Sequence, residues 1–176
     1  AMQVQGRVKT LIVAPELVQS KIIEEVIDMA GRQHLPVLEV SGAVFETFSL
    51  KDGPQGVAAV VTQKWDEIDA IDPQKMGLWV GLDAVADPGN LGTIMRTLDA
   101  VSGNGIFLIG PCTDPYDPSA LRASMGAAFS LKFVKSTVDD FKQFKARSAV
   151  QIVGTSDSAK KDYQEVGYGS NMVLLM

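Results

Sequence analysis

Apolar residues fall into short unbroken runs separated by stretches of helical period, and the alternation of the two organises the chain. Residues 10–14 form an apolar run that predicts a strand, and Pro15 suits the first turn of a following helix. Ser20 stands where it would cap a further turn. Beyond it Ile22, Ile23, Val26, Ile27 and Ala30 recur at helical spacing while Lys21, Glu24, Glu25 and Asp28 take the other face, which predicts an amphipathic helix with a core stripe. A strand over 36–40, a short helix over 43–50 and a strand over 56–61 follow, the last after the turn Lys51-Asp52-Gly53-Pro54. Strand and helix alternate, so the opening segment is a small α/β unit.

Residues 62–76 change character. Trp65-Asp66-Glu67-Ile68-Asp69-Ala70-Ile71-Asp72-Pro73 is acidic, weakly periodic and stopped by proline, and reads as a linker with one helical turn. The alternation then resumes with strand 78–82, helix 91–101, strand 105–109, helix 118–128, strand 131–134, helix 138–147 and strands 149–153 and 171–176. These strands are apolar throughout, as parallel strands covered on both faces are. Asp139 and Asp140 open their helix with the charge its dipole favours. The predicted division is a first domain at 1–62, a linker at 63–76 and a second domain at 77–176.

With 46% hydrophobic residues over 176 positions, the chain can bury a folded core. No apolar run approaches the roughly 20 residues that span a bilayer, and the N-terminus lacks signal-peptide order, so a soluble cytoplasmic protein without membrane contact is expected. Cys112 stands alone and His34 is the one histidine, which excludes an intrachain disulfide and a Cys/His zinc cluster; no metal is expected. The net charge of −5 argues against indiscriminate nucleic-acid binding while leaving room for a local basic patch.

Chemistry concentrates after the strand at 78–82. Asp87-Pro88-Gly89-Asn90-Leu91-Gly92-Thr93-Ile94-Met95-Arg96 runs a turn straight into a helix, whose free amides and single cation suit an anionic ligand; an ordinary βα turn with a solvated arginine is the alternative. Arg96 lies among Ile94, Met95, Thr97, Leu98 and Ala100, which predicts a stem sharing a largely buried helix and therefore a polar or anionic partner. Asn90, six residues earlier, is close to two helical turns away. In the second cluster, from Asp114-Pro115 through Arg122-Ala123-Ser124-Met125-Gly126-Ala127, most positions read as a capped, small-residue helix, with Arg122 and Ser124 as candidates for phosphate or ribose contact. Gly154-Thr155-Ser156-Asp157-Ser158 puts hydroxyls at a strand's carboxyl end, either a ligand edge or a plain loop. No Gly-x-Gly-x-x-Gly, Walker-type lysine or Gly-x-Ser-x-Gly is present, which weighs against a dinucleotide oxidoreductase, a P-loop NTPase and a serine hydrolase.

Together these segments resemble the SpoU (TrmH-type) branch of the SPOUT RNA methyltransferases. The run from Asp87 to Thr97 is similar to that family's first motif, and Asp114-Pro115 through Ala127 to its next. Residues 3–64 resemble the ribosomal-protein-like α/β RNA-binding domain that often precedes the catalytic one. The resemblance implies a trefoil-knot-family parallel sheet, S-adenosylmethionine as cofactor, a homodimer, and methylation of a ribose 2′-hydroxyl in structured RNA, ribosomal RNA favoured over transfer RNA. It also implies Arg96 as the catalytic arginine, Asn90 shaping the ribose and cofactor site, Thr155, Ser156, Leu175 and Met176 bordering the adenosine, and Arg122 and Ser124 contacting RNA or bracing the site. The family pattern continues beyond a strand like 171–176 with a Gly-Glu-rich loop, an Asn/Ser loop and a last helix. Ala1-Met2 reads as a remnant ahead of an internal start, so a protein cut at both ends is expected, with weak or no cofactor binding and no methyl transfer by these 176 residues alone. A non-catalytic RNA-binding protein is the rival reading.

Overall fold

The strand predicted from Thr10 onward is the central member, β1 (Val8–Val13), of a three-stranded sheet, flanked by β2 (Val37–Glu39), parallel to it, and β3 (Val57–Val61), antiparallel. Ile12 lies opposite Leu38 on one side and Ala58 on the other. The computed structural model describes residues 7–49 and 53–176, and the chain divides into two units, 1–63 and 64–176. Ala1-Met2 and Leu50-Lys51-Asp52, the latter closing the predicted second helix and opening the turn after it, fall outside the described residues.

In the first unit a 3₁₀ turn, Pro15–Leu17, leads to α1 (Lys21–Arg32), and α2 (Gly42–Phe48) follows β2. Ser20 occupies the cap position of α1 without a side-chain hydrogen bond, whereas the Ser41 hydroxyl caps α2 by accepting from the Val44 amide at 3.3 Å. Only part of the predicted α1 stripe is core. Ile23 and Ala30 are buried and Ile27 packs beside them against Leu11 and Val13, but Ile22 is 72% exposed. A sheet of three short strands is narrower than the apolar arc of the helix.

The second unit is a five-stranded parallel sheet built from β4 (Leu78–Asp83), β5 (Gly105–Ile109), β6 (Lys132–Ser136), β7 (Gln151–Gly154) and β8 (Met172–Leu175), in the order β6-β5-β4-β8-β7. The helices α3 (Pro88–Ala100) and α4 (Pro118–Ala123) connect β4 to β5 and β5 to β6, and pack Leu91, Met95, Leu98 and Ala120 on Val80, Leu82, Ile106 and Phe133. From β6 the chain returns to the far edge through α5 (Val138–Arg147), on the opposite face, where Phe141 and Phe144 meet Trp79, Phe107 and Val173. Reversing the direction of travel moves a right-handed crossover to the other face, which is why the helices divide as they do. β5 is buried at every position and β8 lies inside the sheet, as their unbroken apolar runs require.

Two expectations are corrected. The segment read as a linker at 63–76 belongs from Lys64 onward to the second unit. The Tyr116 hydroxyl donates to the Lys64 carbonyl at 2.6 Å and accepts from its amide at 3.1 Å, the Asp66 amide donates to the Phe133 carbonyl, and Trp65, Ile68, Ile71 and Met76 pack on the two cores. The predicted turn of helix within it is the 3₁₀ turn Ile68–Ala70. The predicted helix at 118–128 ends at Ala123, because Met125 and Gly126 both take left-handed backbone angles, φ 52° and 98°, before a separate 3₁₀ turn, Ala127–Phe129.

Candidate active site at the carboxyl ends of the parallel strands

Strand order reverses at the middle of the sheet: β4, β5 and β6 run outward to one edge, while β7 occupies the other and β8 fills the gap. Open parallel sheets place ligands outside the carboxyl ends at such a point. Asp83 to Asp87 carries the chain there from β4 into α3. Ala84 adopts a left-handed φ of 55°, its amide donates to the Ile109 carbonyl, and the Val85 carbonyl accepts from Thr113, so the loops after β4 and β5 are tied together. Asp87 caps α3, its carboxylate accepting from the Asn90 amide at 2.6 Å, and Pro88 occupies the first turn, where no amide is missed.

Gly92 sets how closely the next helix approaches. A Cβ there would run into the Ala123 side chain and lie 2.9 Å from the Ala120 carbonyl oxygen, so glycine lets α4 lie against α3. That approach puts the Ala123 carbonyl 3.4 Å from Arg96 Nη1.

Arg96 itself is exposed, contrary to the buried stem expected from its apolar neighbours. The buried stripe of α3 is Leu91, Gly92, Met95 and Leu98, and Arg96 falls on its outer flank. Among the described residues neither Arg96 nor Arg122, also exposed, has a carboxylate partner. Asn90 is exposed, but at about 100° per residue six positions turn the helix by about 240°, so Asn90 and Arg96 look out on different sides of α3. Ser124 is corrected as an RNA contact: it is 1% exposed, its hydroxyl donates to the Leu121 carbonyl at 2.8 Å and accepts from the Ala128 amide at 3.4 Å. It braces the end of α4.

On the other side of β4, the Thr155 amide and hydroxyl both donate to the Leu175 carbonyl, at 2.9 and 3.2 Å. Met176 donates to the Gly81 carbonyl and accepts from the Asp83 amide, joining this corner to the end of β4. Ser156 is exposed and turned onto Ser158, 2.9 Å between hydroxyl oxygens. The candidate residues therefore form two groups. Arg96 reaches the end of α4, the helix between β5 and β6 that carries Arg122, and Thr155, Leu175 and Met176 meet where β7, β8 and β4 end. No hydrogen bond joins the two groups among the described residues.

The motifs in the sequence do not point to a cavity of about 370 Å³ lined by Gly110, Cys112, Thr113, Lys135, Ser136 and Thr137, beyond the ends of β5 and β6. Its signal in the chain is the small and hydroxylic residues directly after two apolar strands. No group of three or more His, Cys, Asp or Glu able to hold a metal occurs among the described residues.

Comparison with known proteins places these features. The sequence model of the SpoU rRNA Methylase family matches residues 77–176, and that of the RNA 2′-O ribose methyltransferase substrate binding domain matches residues 1–65. The 23S rRNA (uridine(2479)-2′-O)-methyltransferase of Streptomyces viridochromogenes is 31% identical over 131 residues, 71% of this chain and 46% of that protein. An AdoMet-bound rRNA methyltransferase from Sinorhizobium meliloti superposes with a TM-score of 0.85 at 35% identity, over 99% of this chain and 65% of that one. The SpoU methyltransferase AviRb from Streptomyces viridochromogenes, in complex with AdoMet, does so at 0.77 and 27%, over 96% and 64%. The chain thus spans less than two thirds of the length of each of these proteins. With both its units matched in order, the chain belongs to the SpoU rRNA methylase family.

Proposed function

We propose that this protein transfers a methyl group from S-adenosylmethionine to a ribose 2′-hydroxyl of structured RNA, with ribosomal RNA as the favoured substrate. The observation that carries the reading is the placement of the first family motif. It forms the loop and helix directly after the central strand β4, beside the strand-order reversal, and presents an arginine without a carboxylate partner among the described residues. The matched substrate-binding domain supports RNA as the partner, and the rRNA-modifying relatives favour ribosomal RNA.

The residues present fit part of the cofactor. Leu175 is half-buried and Met176 exposed at the β8 end, giving apolar surface for a purine, and Gly154 leaves open space where a side chain would stand. Thr155 holds the Leu175 carbonyl, so this corner is fixed before any ligand arrives. Thr155, Ser156, Leu175 and Met176 would border the adenosine. When bound, S-adenosylmethionine supplies an electrophilic methyl group on a sulfonium.

The role of Arg96 is to grip the phosphate beside the target ribose and polarise the 2′-hydroxyl through a planar fork of donors. Asn90, on a different side of the same helix, helps shape the ribose and cofactor site. The separation of the arginine group from the adenosine corner supports a homodimer in which the arginine of one copy works with the cofactor edge of the other. The cytoplasm, where ribosomal RNA is met, is the proposed compartment.

The test is tritium transfer from methyl-labelled cofactor to ribosomal RNA by the whole protein, with the modified position located by nuclease-resistant ribose. Counts in a 2′-O-methylated nucleotide are expected. Retained RNA binding without transfer would establish the non-catalytic reading in its place.

A further inference from the structure

Met125 is 78% exposed, the highest value among the exposed large hydrophobic residues of the described chain, and it holds a left-handed backbone angle that a side chain with a Cβ adopts at a cost. Such strain persists where the surroundings fix it. They do so here: the Met125 amide donates to the Arg122 carbonyl at 3.2 Å, Ser124 is locked by its buried hydroxyl, and the Gly126 carbonyl accepts from Phe129 at 3.0 Å. The result is a rigid knuckle that carries one flexible apolar side chain into solvent. Its flanks are cationic. Arg122 lies three residues before it, and the guanidinium of Arg96 reaches the carbonyl of Ala123, two residues before it, with no carboxylate on either arginine among the described residues. In a chain of net charge −5, Arg122 on α4 and an Arg96 guanidinium that reaches the end of that helix from α3, neither with a carboxylate among the described residues, call for an anion.

We propose that Met125 is a wedge that stacks on an unpaired or displaced base of the substrate RNA while Arg96 and Arg122 hold the adjoining phosphates. Methionine is among the side chains that insert between base steps, and the paired cations choose RNA over an apolar protein surface. This inference rests on the reading of RNA as substrate and adds a positioning residue to it.

The test measures binding of a labelled hairpin RNA with a single-stranded loop across a range of salt, beside a fully paired RNA. Met125→Asn is expected to raise Kd for the hairpin about tenfold at every salt concentration, with little change for the duplex, because stacking is insensitive to counterions. Met125→Leu keeps the parent affinity. Arg122→Ala instead flattens the salt dependence by about one phosphate contact. Asparagine tolerates left-handed angles, so Met125→Asn melts no lower than the parent, which separates a wedge from a merely structural methionine. Unchanged hairpin affinity in Met125→Asn, a lowered melting temperature alongside the loss, or dissociation of a parent dimer by that substitution would each overturn the wedge while leaving RNA binding by the parent intact. A parent chain that binds neither RNA would remove the substrate reading and the wedge with it.

Discussion

On the open face of α3, Arg96 meets a carbonyl, at 3.4 Å, that stands at that spot because Gly92 lets Ala123 close in. Replacing that arginine separates charge from shape. In the whole protein Arg96→Lys keeps a cation but loses the planar fork, so methyl transfer is expected to fall to background while cofactor affinity stays within about twofold, as read by tritium transfer and calorimetry. A near-parental rate in the variant refutes the role. Gly92→Ala tests the approach itself. Alanine gains about 1 kcal/mol of helix propensity over glycine, whereas overpacking of this kind costs about 1–3 kcal/mol. The atoms in the way are mostly backbone of α4, which cannot rotate aside, so the steric term wins. The urea midpoint of Gly92→Ala is expected to drop, and a raised midpoint would show that the two helices have room to spare.

At the scale of an element, α5 shows how a terminus is built. Thr137 and Asp140 form a capping box: the Asp140 amide donates to the Thr137 hydroxyl oxygen at 3.1 Å, and the Asp140 carboxylate accepts from the Thr137 hydroxyl at 2.6 Å and from its amide at 3.1 Å. The Thr137 hydroxyl first, and its backbone amide second, hold the Asp140 carboxyl below its ordinary value of 3.8. A folded-state value below the unfolded one means the charged form is favoured by folding. The contribution is therefore complete above pH 3.8 and fades as pH falls through the lower, folded value. The stability gap between the parent and Asp140→Ala is expected to be constant from neutrality down to that point and to narrow below it, as measured by urea midpoints at stepped pH. A gap that widens with acid would contradict the assignment.

This helix is legible from Asp139-Asp140 at its start, and β4 and β5 from their apolar runs, since both signals are local. What escaped depends on residues far apart in the chain. Trp65 sits in an acidic, weakly periodic stretch, and partners distant in sequence fix that stretch to the second unit, among them Tyr116 and Phe133, whose rings meet Trp65 edge-on at 5.5 and 6.4 Å. Small helix-forming residues continue past Ala123, and local propensity gives no reason for a stop before Gly126. The motif residues of the candidate site stood in the sequence, but the exposure of Arg96 and the burial of Ser124 come from how α3 and α4 dock.

The two units as wholes differ most in what they bury. The second has two cores, one on each face of its sheet, with Leu91, Met95, Ile106, Phe107, Phe133 and Phe144 all essentially sealed from solvent. In the first, the buried cluster between α1 and the sheet is Leu11, Val13 and Ala30, and every residue of β2 is exposed. Each buried aliphatic side chain contributes about 1.5–3 kcal/mol, so the small unit has far less to set against the conformational entropy of ordering its chain. Local opening draws on the element with the least buried apolar area. Native-state hydrogen exchange is therefore expected to show the amides of β1 and β3 opening at clearly lower free energy than those of β4 and β5. The same measurement with RNA bound is expected to raise protection in the first unit more than in the second, because a ligand stabilises most visibly the part that opens most easily. Equal protection of β1 and β5 in the free protein would mean that the two units unfold as one. RNA-induced protection confined to β4 and β5 would place the grip on RNA in the second unit alone.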